Sequence, residues 1–381
     1  MRRIYLDNAA STKVAKEVIE EMLPYFSEKF GNASGLHSYG VEARESVEKA
    51  RELILKKLNG KDYKLIFTSG GTESNNFAIK GIAFANKNKG KHIITTKIEH
   101  DCILNTCKWL EREGFEITYL NVDKDGFINL EELENEIRED TILVSIIHGN
   151  NEIGTIQPIR EIGKICRERK VYFHTDACQS FTKVPIDLEK DCIDLITLNS
   201  HKIFGPKGVG ALVIRNGVKI TPLLHGGGHE FGYRSGTENV PGIVGFAKAV
   251  EIMNEEKVEY MRKLRDMLIE GILKIENTRL NGPKENRLCN NTNFSFKYIE
   301  GESLVLYLDE KGIAASTGSA CASHKLEPSH VLLAIGLKPD EAHGSLRLTT
   351  GIYNTVDEIK YAIEVVKEGV EKLRKISPLV R

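Results

Sequence analysis

Short apolar runs alternate with longer amphipathic segments through the first two thirds of the chain. The apolar runs predict strands at 64–71, 91–97, 115–122, 141–148, 171–176, 194–200 and 210–215. The first of these segments ends in a turn. Amphipathic segments between them predict helices at 72–87, 102–113 and 159–169. Repeated strand–helix–strand order with strands apolar on both faces is typical of a parallel sheet covered by helices. The pattern therefore predicts an α/β fold with a mostly parallel sheet.

The pattern changes after about residue 250. A long helical region is expected at 250–275, followed by strand-like segments at 291–297 and 345–350, a helix at 303–311 and a final amphipathic helix from Val356. This order predicts a smaller α+β domain. We expect the large domain to span 15–255, and the small domain to combine 1–14 with 256–381.

Charge and composition exclude several classes of protein. The 381 residues include 53 Lys and Arg and 54 Asp and Glu, whereas a dedicated nucleic-acid binder normally carries a basic excess. Apolar runs stay well below the roughly 18 residues of a membrane helix. The start, MRRIYLDNAAST, has no apolar core after its arginines, so we expect no secretory signal. Seven scattered cysteines do not form a disulfide framework, which favours a reducing cytoplasm.

The stretch FTSGGTESNN, at 67–76, joins a predicted strand to a predicted helix through two glycines and several hydroxyls. Exposed backbone N–H groups at a helix N-terminus favour a bound phosphate, although an ordinary turn fits the stretch equally well. The stretch contains neither a Walker loop nor the dinucleotide-binding GxGxxG pattern.

Two charged residues follow strands that lie close together in the chain. Asp176 ends the predicted strand 171–176, and Lys202 follows the strand 194–200. Ligands of a doubly wound sheet bind at the carboxyl ends of its strands, so both side chains could line one crevice. A helix N-cap would explain Asp176 alone, and a surface charge or a phosphate clamp would explain Lys202 alone. Together with a phosphate-binding turn, however, an amine and a carboxylate suit pyridoxal phosphate.

Two further segments carry histidines. His100 follows the predicted strand 91–97, where a structural role is common and stacking against a ring is the functional alternative. His225 and His229 have the i, i+4 spacing of metal ligands, but the three glycines between them disfavour a helix and a zinc site. A polar loop at 225–239 that reaches a phosphate is the preferred interpretation.

Cys321 lies among small residues in STGSACASHKLEP, at 316–328, which cannot bury it in a core. An exposed loop thiol is a candidate nucleophile, and its CxxH spacing with His324 is only weak evidence for a metal. Arg347 lies on the predicted strand 345–350, either as a surface residue or as a bidentate partner for a substrate carboxylate.

These motifs together resemble the cysteine desulfurases, the pyridoxal-phosphate enzymes of iron–sulfur cluster assembly. The similarity covers nearly the whole chain through LDNAAST, FGNASGLHSYG, FTSGGTESNN, EHDCIL, HGNNEIGTIQPI, HTDACQS, SHKIFGPKGVGAL, HGGGHEFGYRSGTEN, TGSACASHKLEPSHVL and GSLRLTTG, in that order. The resemblance implies the PLP-dependent fold type I of aspartate aminotransferase, in a homodimer whose subunits have a large and a small domain.

The resemblance also implies roles for particular residues around the cofactor ring. Lys202 resembles the lysine that forms the Schiff base, and Asp176 resembles the partner of the pyridinium nitrogen. Gln179 resembles the donor to the ring hydroxyl, and His100 resembles the histidine that stacks on the ring and transfers protons.

Phosphate and substrate contacts follow from the same resemblance. The expected phosphate ligands are Gly71, Thr72, His201 and, from the other subunit, Thr237. A serine usually stands three residues before the lysine, but here that residue is Asn199, with Ser200 next to it, and either could hold the phosphate. The expected substrate-carboxylate pair is Asn151, also a cofactor contact, and Arg347.

The implied activity converts L-cysteine to L-alanine and forms a persulfide on Cys321. The loop around Cys321 resembles the longer-loop branch of the family, whose cysteine reaches an iron–sulfur scaffold or another acceptor, such as an enzyme of tRNA thiolation. Alternatives of the same fold are a selenocysteine lyase or an aminotransferase acting on small amino acids. A different class, a non-catalytic sheet protein, would leave Lys202 and Asp176 without a role.

Overall fold

A computed structural model of the chain describes residues 3–317 and 328–377. In this part of the chain the strands are β1 (Ile4–Tyr5), β2 (Tyr63–Thr68), β3 (His92–Thr96), β4 (Glu116–Leu120), β5 (Thr141–Ser145), β6 (Tyr172–Asp176), β7 (Leu195–Asn199), β8 (Gly210–Arg215), β9 (Thr278–Leu280), β10 (Asn291–Phe296), β11 (Ile313–Ala314) and β12 (Ser345–Thr349). The helices are α1 (Lys16–Met22), α2 (Pro24–Ser27), α3 (Ser38–Lys57), α4 (Gly71–Asn86), α5 (Asp101–Arg112), α6 (Leu130–Glu136), α7 (Ile159–Glu168), α8 (Val240–Ile252), α9 (Glu255–Ile272), α10 (Gly301–Glu310), α11 (His330–Ala334), α12 (Pro339–His343) and α13 (Val356–Ile376), with a 3-10 turn at Glu230–Gly232.

The main sheet has seven strands in the order β2-β8-β7-β6-β5-β3-β4. Neighbours from β7 to β4 are parallel, whereas β8 is antiparallel to both β2 and β7. Strands such as β5 and β7 are buried along their whole length, as their continuous apolar runs predicted. The predicted mostly parallel α/β sheet is therefore confirmed.

The reversal of strand direction at β7 and β8 positions the lysine segment. Because β6 and β7 run parallel, Asp176 and Asn199 end their strands at the same edge of the sheet. The chain then passes through residues 200–209 and returns as β8, so Lys202 also lies at that edge.

The helical region expected at 250–275 consists of the end of α8 and the whole of α9, with a break between them. Met253 has an extended backbone, and the side chain of Asn254 accepts a hydrogen bond from Lys257 N at 3.0 Å. An asparagine at this position caps the new helix and so separates it from the preceding one.

A second apolar core lies apart from the main sheet. It combines Ile4 and Leu6 from the N-terminus with side chains of α9, β10, α10, β12 and α13. There β10 pairs antiparallel with β9 and β12, and the N-terminal β1 pairs in parallel with β11. These cores are compatible with the expected division into 15–255 and 1–14 with 256–381, which stays a prediction. Within the described ranges, no helix combines the length and apolar character needed to cross a bilayer.

Candidate active site

A cavity of about 710 Å³ opens at the carboxyl ends of β6 and β7. It brings together most of the residues selected from the sequence: Gly71, Thr72, His100, Asn151, Asp176, Gln179, Asn199, His201, Lys202 and Arg347. Ser200 and Thr237 do not line it, and Thr237 is exposed. Cys321 lies outside the described residues. The convergence of the ten lining residues on one cavity is observed, whereas the roles assigned to them, and to Ser200, Thr237 and Cys321, stay predictions.

Asp176 is held as a buried carboxylate at the end of β6. Its Oδ2 accepts a hydrogen bond from Asn75 Nδ2 at 2.7 Å, and its Oδ1 accepts one from Cys178 N at 2.8 Å. Donors on both oxygens fix the plane of the carboxylate at the cavity wall. Nearby, Gln179 Nε2 donates to Ala9 O at 2.9 Å, which orients the Gln179 amide at the cavity wall.

Lys202 faces this carboxylate region with an uncommitted amine. Its Nζ makes no hydrogen bond or ion pair with the rest of the described chain. The backbone before it is fixed, because His201 O accepts hydrogen bonds from both Thr12 N and Thr12 Oγ1 at 2.9 Å. The arrangement holds the peptide in place and leaves the amine available.

The turn at the start of α4 has the form of an anion cradle. A Cβ on Gly71 would lie 2.6 Å from Cys178 Sγ, so the close approach of these segments requires glycine. The first N–H groups of a helix lack intrahelical partners and carry the positive end of its dipole. Asn199 Nδ2, an amide donor, lies 3.6 Å from where a Cβ on Gly71 would be, and the buried His201 Nδ1 at the same cavity has no hydrogen-bond partner among the residues described. These features fit a phosphate-bearing cofactor.

Strand geometry distinguishes Asn199 from Ser200. Successive side chains of a strand point to opposite faces. Asn199 lines the cavity, whereas Ser200 Oγ packs against Gly205, where a Cβ would collide with it. Asn199 is therefore the better placed of the two for a cofactor contact. Burial and the adjacent Lys202 lower the pKa of His201 to about 4, so its imidazole is neutral.

His100 caps α5 as well as lining the cavity. Its Nδ1 accepts a hydrogen bond from Cys102 N at 3.2 Å, and Cys102 Sγ lies 3.1 Å from the same nitrogen. Burial and the charge of Lys202 lower the pKa of His100. A backbone N–H can only donate, so neutral His100 carries its hydrogen on Nε2.

Arg347 is not a surface residue, because it is 2% exposed. Its guanidinium contacts Asp7 Oδ1 at 2.9 Å and donates to Asn151 O at 3.0 Å. Asn151 and Arg347 thus both line the cavity and are joined through the backbone oxygen of Asn151. This is suitable geometry for binding a small carboxylate.

Sequence reasoning missed two acidic residues of the cavity wall. Glu99 is fully buried, and its Oε1 accepts hydrogen bonds from Thr96 Oγ1 at 2.7 Å and Ile147 N at 2.9 Å. Burial raises the pKa of Glu99 to about 8. Glu152 accepts a hydrogen bond from Ser329 Oγ, and burial raises its pKa as well. The sequence does hold one indication that Glu99 lies at the cavity: it directly precedes His100, close after the predicted strand 91–97.

The fold and the cavity together define a class of protein. An amine, a carboxylate and an anion cradle meet at one edge of a mostly parallel sheet, as in pyridoxal-phosphate enzymes of fold type I. The family profile for class-V aminotransferases matches residues 4–362.

Known relatives then narrow the assignment. The chain is 57% identical to the cysteine desulfurase IscS of Methanosarcina thermophila, over 99% of this chain and 94% of that protein. It is 53% identical to the cysteine desulfurase IscS of Dictyoglomus turgidum, over 99% and 97%. The chain therefore belongs to the class-V aminotransferase family, in its cysteine desulfurase branch, whose cofactor is pyridoxal 5′-phosphate.

Solved structures agree with this assignment. A NifS-like protein superimposes with a TM-score of 0.90 at 41% identity, covering 97% of this chain and all (100%) of that one. A structure described as SspA in complex with cysteine has a TM-score of 0.83 at 40% identity, covering 92% and 100%.

Proposed function

We propose that this protein is a cysteine desulfurase that converts L-cysteine to L-alanine and passes the sulfur to an acceptor for iron–sulfur cluster assembly. The observation that carries the proposal is the convergence of Lys202, Asp176 and the Gly71 cradle on one cavity. The cysteine desulfurase names of its relatives and the cysteine complex of SspA support the choice of substrate. They favour it over a selenocysteine lyase or a general aminotransferase.

In this proposal each end of the cofactor has its own ligands. Gly71, Thr72, His201 and Asn199 hold the phosphate, and Thr237 of a second subunit completes that site. Asp176 holds the pyridine nitrogen in its protonated form, and Gln179 orients the ring hydroxyl. When bound, pyridoxal phosphate supplies an electron sink for the bonds at the substrate's α-carbon.

The remaining residues bind the substrate and move protons. Arg347 and Asn151 hold the carboxylate of L-cysteine, which fixes its α-carbon beside Lys202. Lys202 Nζ takes the proton from that carbon. His100 would stack on the ring of the bound cofactor, and its Nε2–H would exchange protons with the substrate.

Sulfur transfer is assigned to Cys321 from the sequence. Its thiol attacks the substrate's sulfur, and the resulting persulfide passes to a scaffold protein or to another acceptor such as a tRNA-thiolation enzyme. We place this activity in the cytoplasm, because the seven scattered cysteines are not the pattern of a disulfide framework.

A homodimer is the proposed assembly. Apolar side chains near the N-terminus are exposed in the isolated chain, with Leu36 93%, Phe30 65% and Phe26 63% accessible. A cluster of this kind is typical of a protein interface. Thr237 is exposed on the polar loop at 225–239, called the glycine loop below, where it can reach a neighbouring subunit.

Two substitutions and one product analysis test the function. Lys202→Ala should abolish the yellow colour of the covalently attached cofactor, and Cys321→Ser should keep that colour but form no persulfide. Wild-type protein should release alanine from L-cysteine. A keto acid in place of alanine, or normal sulfur release by Cys321→Ser, would refute the proposal.

A further inference from the structure

Cys102 lies at the cavity in the first turn of α5, beside the histidine that the proposed function stacks on the cofactor ring. Its Sγ is 3.1 Å from His100 Nδ1 and 3.2 Å from Asn75 Nδ2. Asn75 belongs to α4, so the thiol joins two helices at the cavity wall. Neither Cys102 nor Asn75 has a part in the proposed function.

The direction of the hydrogen bonds made by Asn75 follows from the carboxylate that it contacts. A carboxylate oxygen accepts hydrogen bonds, so Asn75 Nδ2 donates one hydrogen to Asp176 Oδ2, at 2.7 Å. Its second hydrogen is then donated to Cys102 Sγ. The amide group therefore uses both of its hydrogens, and the sulfur of Cys102 is an acceptor toward Asn75.

The hydrogen of the Cys102 thiol has one acceptor within reach. A thiol can donate its hydrogen while its sulfur accepts another. Nδ1 of His100 is an acceptor, because it already receives the backbone N–H of Cys102 at 3.2 Å. The S–H group of Cys102 is therefore donated to the same nitrogen. The result is one directed chain, in which Asn75 donates to Asp176 and Cys102, and Cys102 donates to His100.

The surroundings of Cys102 keep its thiol protonated. Burial raises the pKa of Cys102 to about 12, and the Asp176 carboxylate acts in the same direction. Burial and the charge of Lys202 lower the pKa of His100. The titratable groups that act on Cys102 and His100 come from the segments packed around them: Asp176 at the end of β6, Lys202 after β7, Glu99 before α5, Asp101 in α5 and His330 at the start of α11.

We propose that Cys102 is a positioning residue, whose S–H hydrogen bond holds His100 in the neutral form that carries its hydrogen on Nε2. The inference rests on the proposed function, in which this Nε2–H exchanges protons with the substrate. A proton that bound to His100 Nδ1 would displace two donors, the backbone N–H and the S–H of Cys102. Asn75 gives the thiol its direction and connects it to Asp176, the proposed partner of the cofactor's ring nitrogen.

Two variants of Cys102 separate the hydrogen bond from packing. Cys102→Ala removes the thiol but leaves the backbone hydrogen bond to His100. Cys102→Ser keeps a hydroxyl, which can accept from Asn75 and donate to His100. Cys192 is half-buried and lies outside the cavity, so Cys192→Ser is the matched control.

The S–H stretching vibration of the holoenzyme tests the hydrogen bond directly. The infrared difference between wild type and Cys102→Ser isolates the band of Cys102, and the difference between wild type and Cys192→Ser isolates that of Cys192. Cys192 Sγ makes only a long contact, 3.9 Å from Lys190 O. Donation weakens an S–H bond, so we expect the Cys102 band at the lower frequency. A Cys102 band at the same or a higher frequency, or no band, would refute the inference without reference to activity.

The second readout is the titration of His100 in the holoenzyme, followed by side-chain nitrogen NMR. In Cys102→Ala the ring should bind a proton roughly 3- to 10-fold more tightly, as expected for the loss of one hydrogen bond to the neutral form. Cys102→Ser and Cys192→Ser should stay close to wild type. As pH is lowered, alanine formation from L-cysteine should therefore decline at a higher pH in Cys102→Ala than in the other proteins.

The outcomes distinguish the inference from the proposed function. Wild-type proton affinity of His100 in Cys102→Ala would overturn the role of the thiol and leave the desulfurase proposal intact. An equal change in Cys102→Ala and Cys102→Ser would also overturn it, because packing of the sulfur would then be the cause. A wild-type protein that forms no alanine would overturn the proposed function, whereas the infrared and NMR measurements decide separately whether Cys102 holds His100 neutral.

Discussion

A buried ion pair fastens the glycine loop to the main sheet, and Glu230→Gln is the substitution that tests its strength. The guanidinium of Arg51, on α3, makes two hydrogen bonds of 2.9 Å to the Glu230 carboxylate. Glu230 Oε2 also accepts a hydrogen bond from Phe67 N, in β2, at 2.8 Å. The guanidinium lies between the rings of Phe67 and Phe231, at 4.9 Å from each centroid.

The expected loss of free energy of unfolding follows from the burial of Arg51 and Glu230, whose side chains are 7% and 4% exposed. Removing one member of a buried pair destabilises a protein by about 3–5 kcal/mol, because the other charge is left without compensation. Glutamine keeps one acceptor oxygen, and Arg51 retains Glu48, with its Oε2 at 3.1 Å. We therefore expect the lower end of the range, about 3 kcal/mol.

Urea unfolding followed by circular dichroism measures this loss. At a slope of about 3 kcal/mol per molar, the midpoint should fall by about 1 M. The matched control is Glu20→Gln, because Glu20 forms an exposed pair with Lys16 in which the side chains are 59% and 86% accessible. That change should alter the free energy of unfolding by less than about 0.5 kcal/mol. Equal effects of the two substitutions would refute the reasoning from burial.

Two other predictions concern the cavity wall. Burial raises the pKa of Glu99 from 4.5 to about 8, so the stabilising effect of its protonated form is complete below pH 4.5 and is lost as pH rises through 8. Glu99→Gln, which mimics the protonated form, should raise the midpoint of thermal unfolding relative to wild type at pH 9 but not at pH 5. An equal change of the midpoint at both pH values would contradict this prediction. Gly71→Ala should weaken pyridoxal phosphate binding by roughly 10- to 100-fold, since overpacking costs about 1–3 kcal/mol. In the Gly71→Ala protein, the additional change Cys178→Ala should restore cofactor binding, because it removes the Sγ atom that the new Cβ would meet at 2.6 Å. An absorbance titration with pyridoxal phosphate measures both affinities.

Much of the site could be predicted because strand ends are visible in the sequence. Asp176 and Lys202 follow apolar runs, and parallel strands bring such positions to one edge of a sheet. Local spacing also indicated the turn at Gly71. Local spacing did not indicate whether Asn199 or Ser200 faces the cavity. The orientation of these side chains depends on the twist and register of β7 against its neighbours.

Contacts between distant segments could not be predicted from local patterns. Asn75 holds Asp176 from a separate helix, and Arg51 reaches Glu230 across 179 positions of the chain. The helix α3, which carries Arg51, has a weak apolar periodicity, and no helix was predicted there.

The glycine loop links fold stability to the cofactor cradle through a second ion pair. Arg234, on that loop, contacts Glu73 Oε1 at 2.9 Å, and Glu73 also accepts a hydrogen bond from Ser69 N at 2.8 Å. Burial works to raise the pKa of Glu73, but these hydrogen bonds outweigh it and lower the pKa, so the carboxylate is charged. Glu73 lies in the first turn of α4, the same turn that begins at Gly71. A loop held by Arg51 and Glu230 at one point and by Arg234 and Glu73 at another therefore supports the N-terminus of α4, the helix end proposed to bind the phosphate.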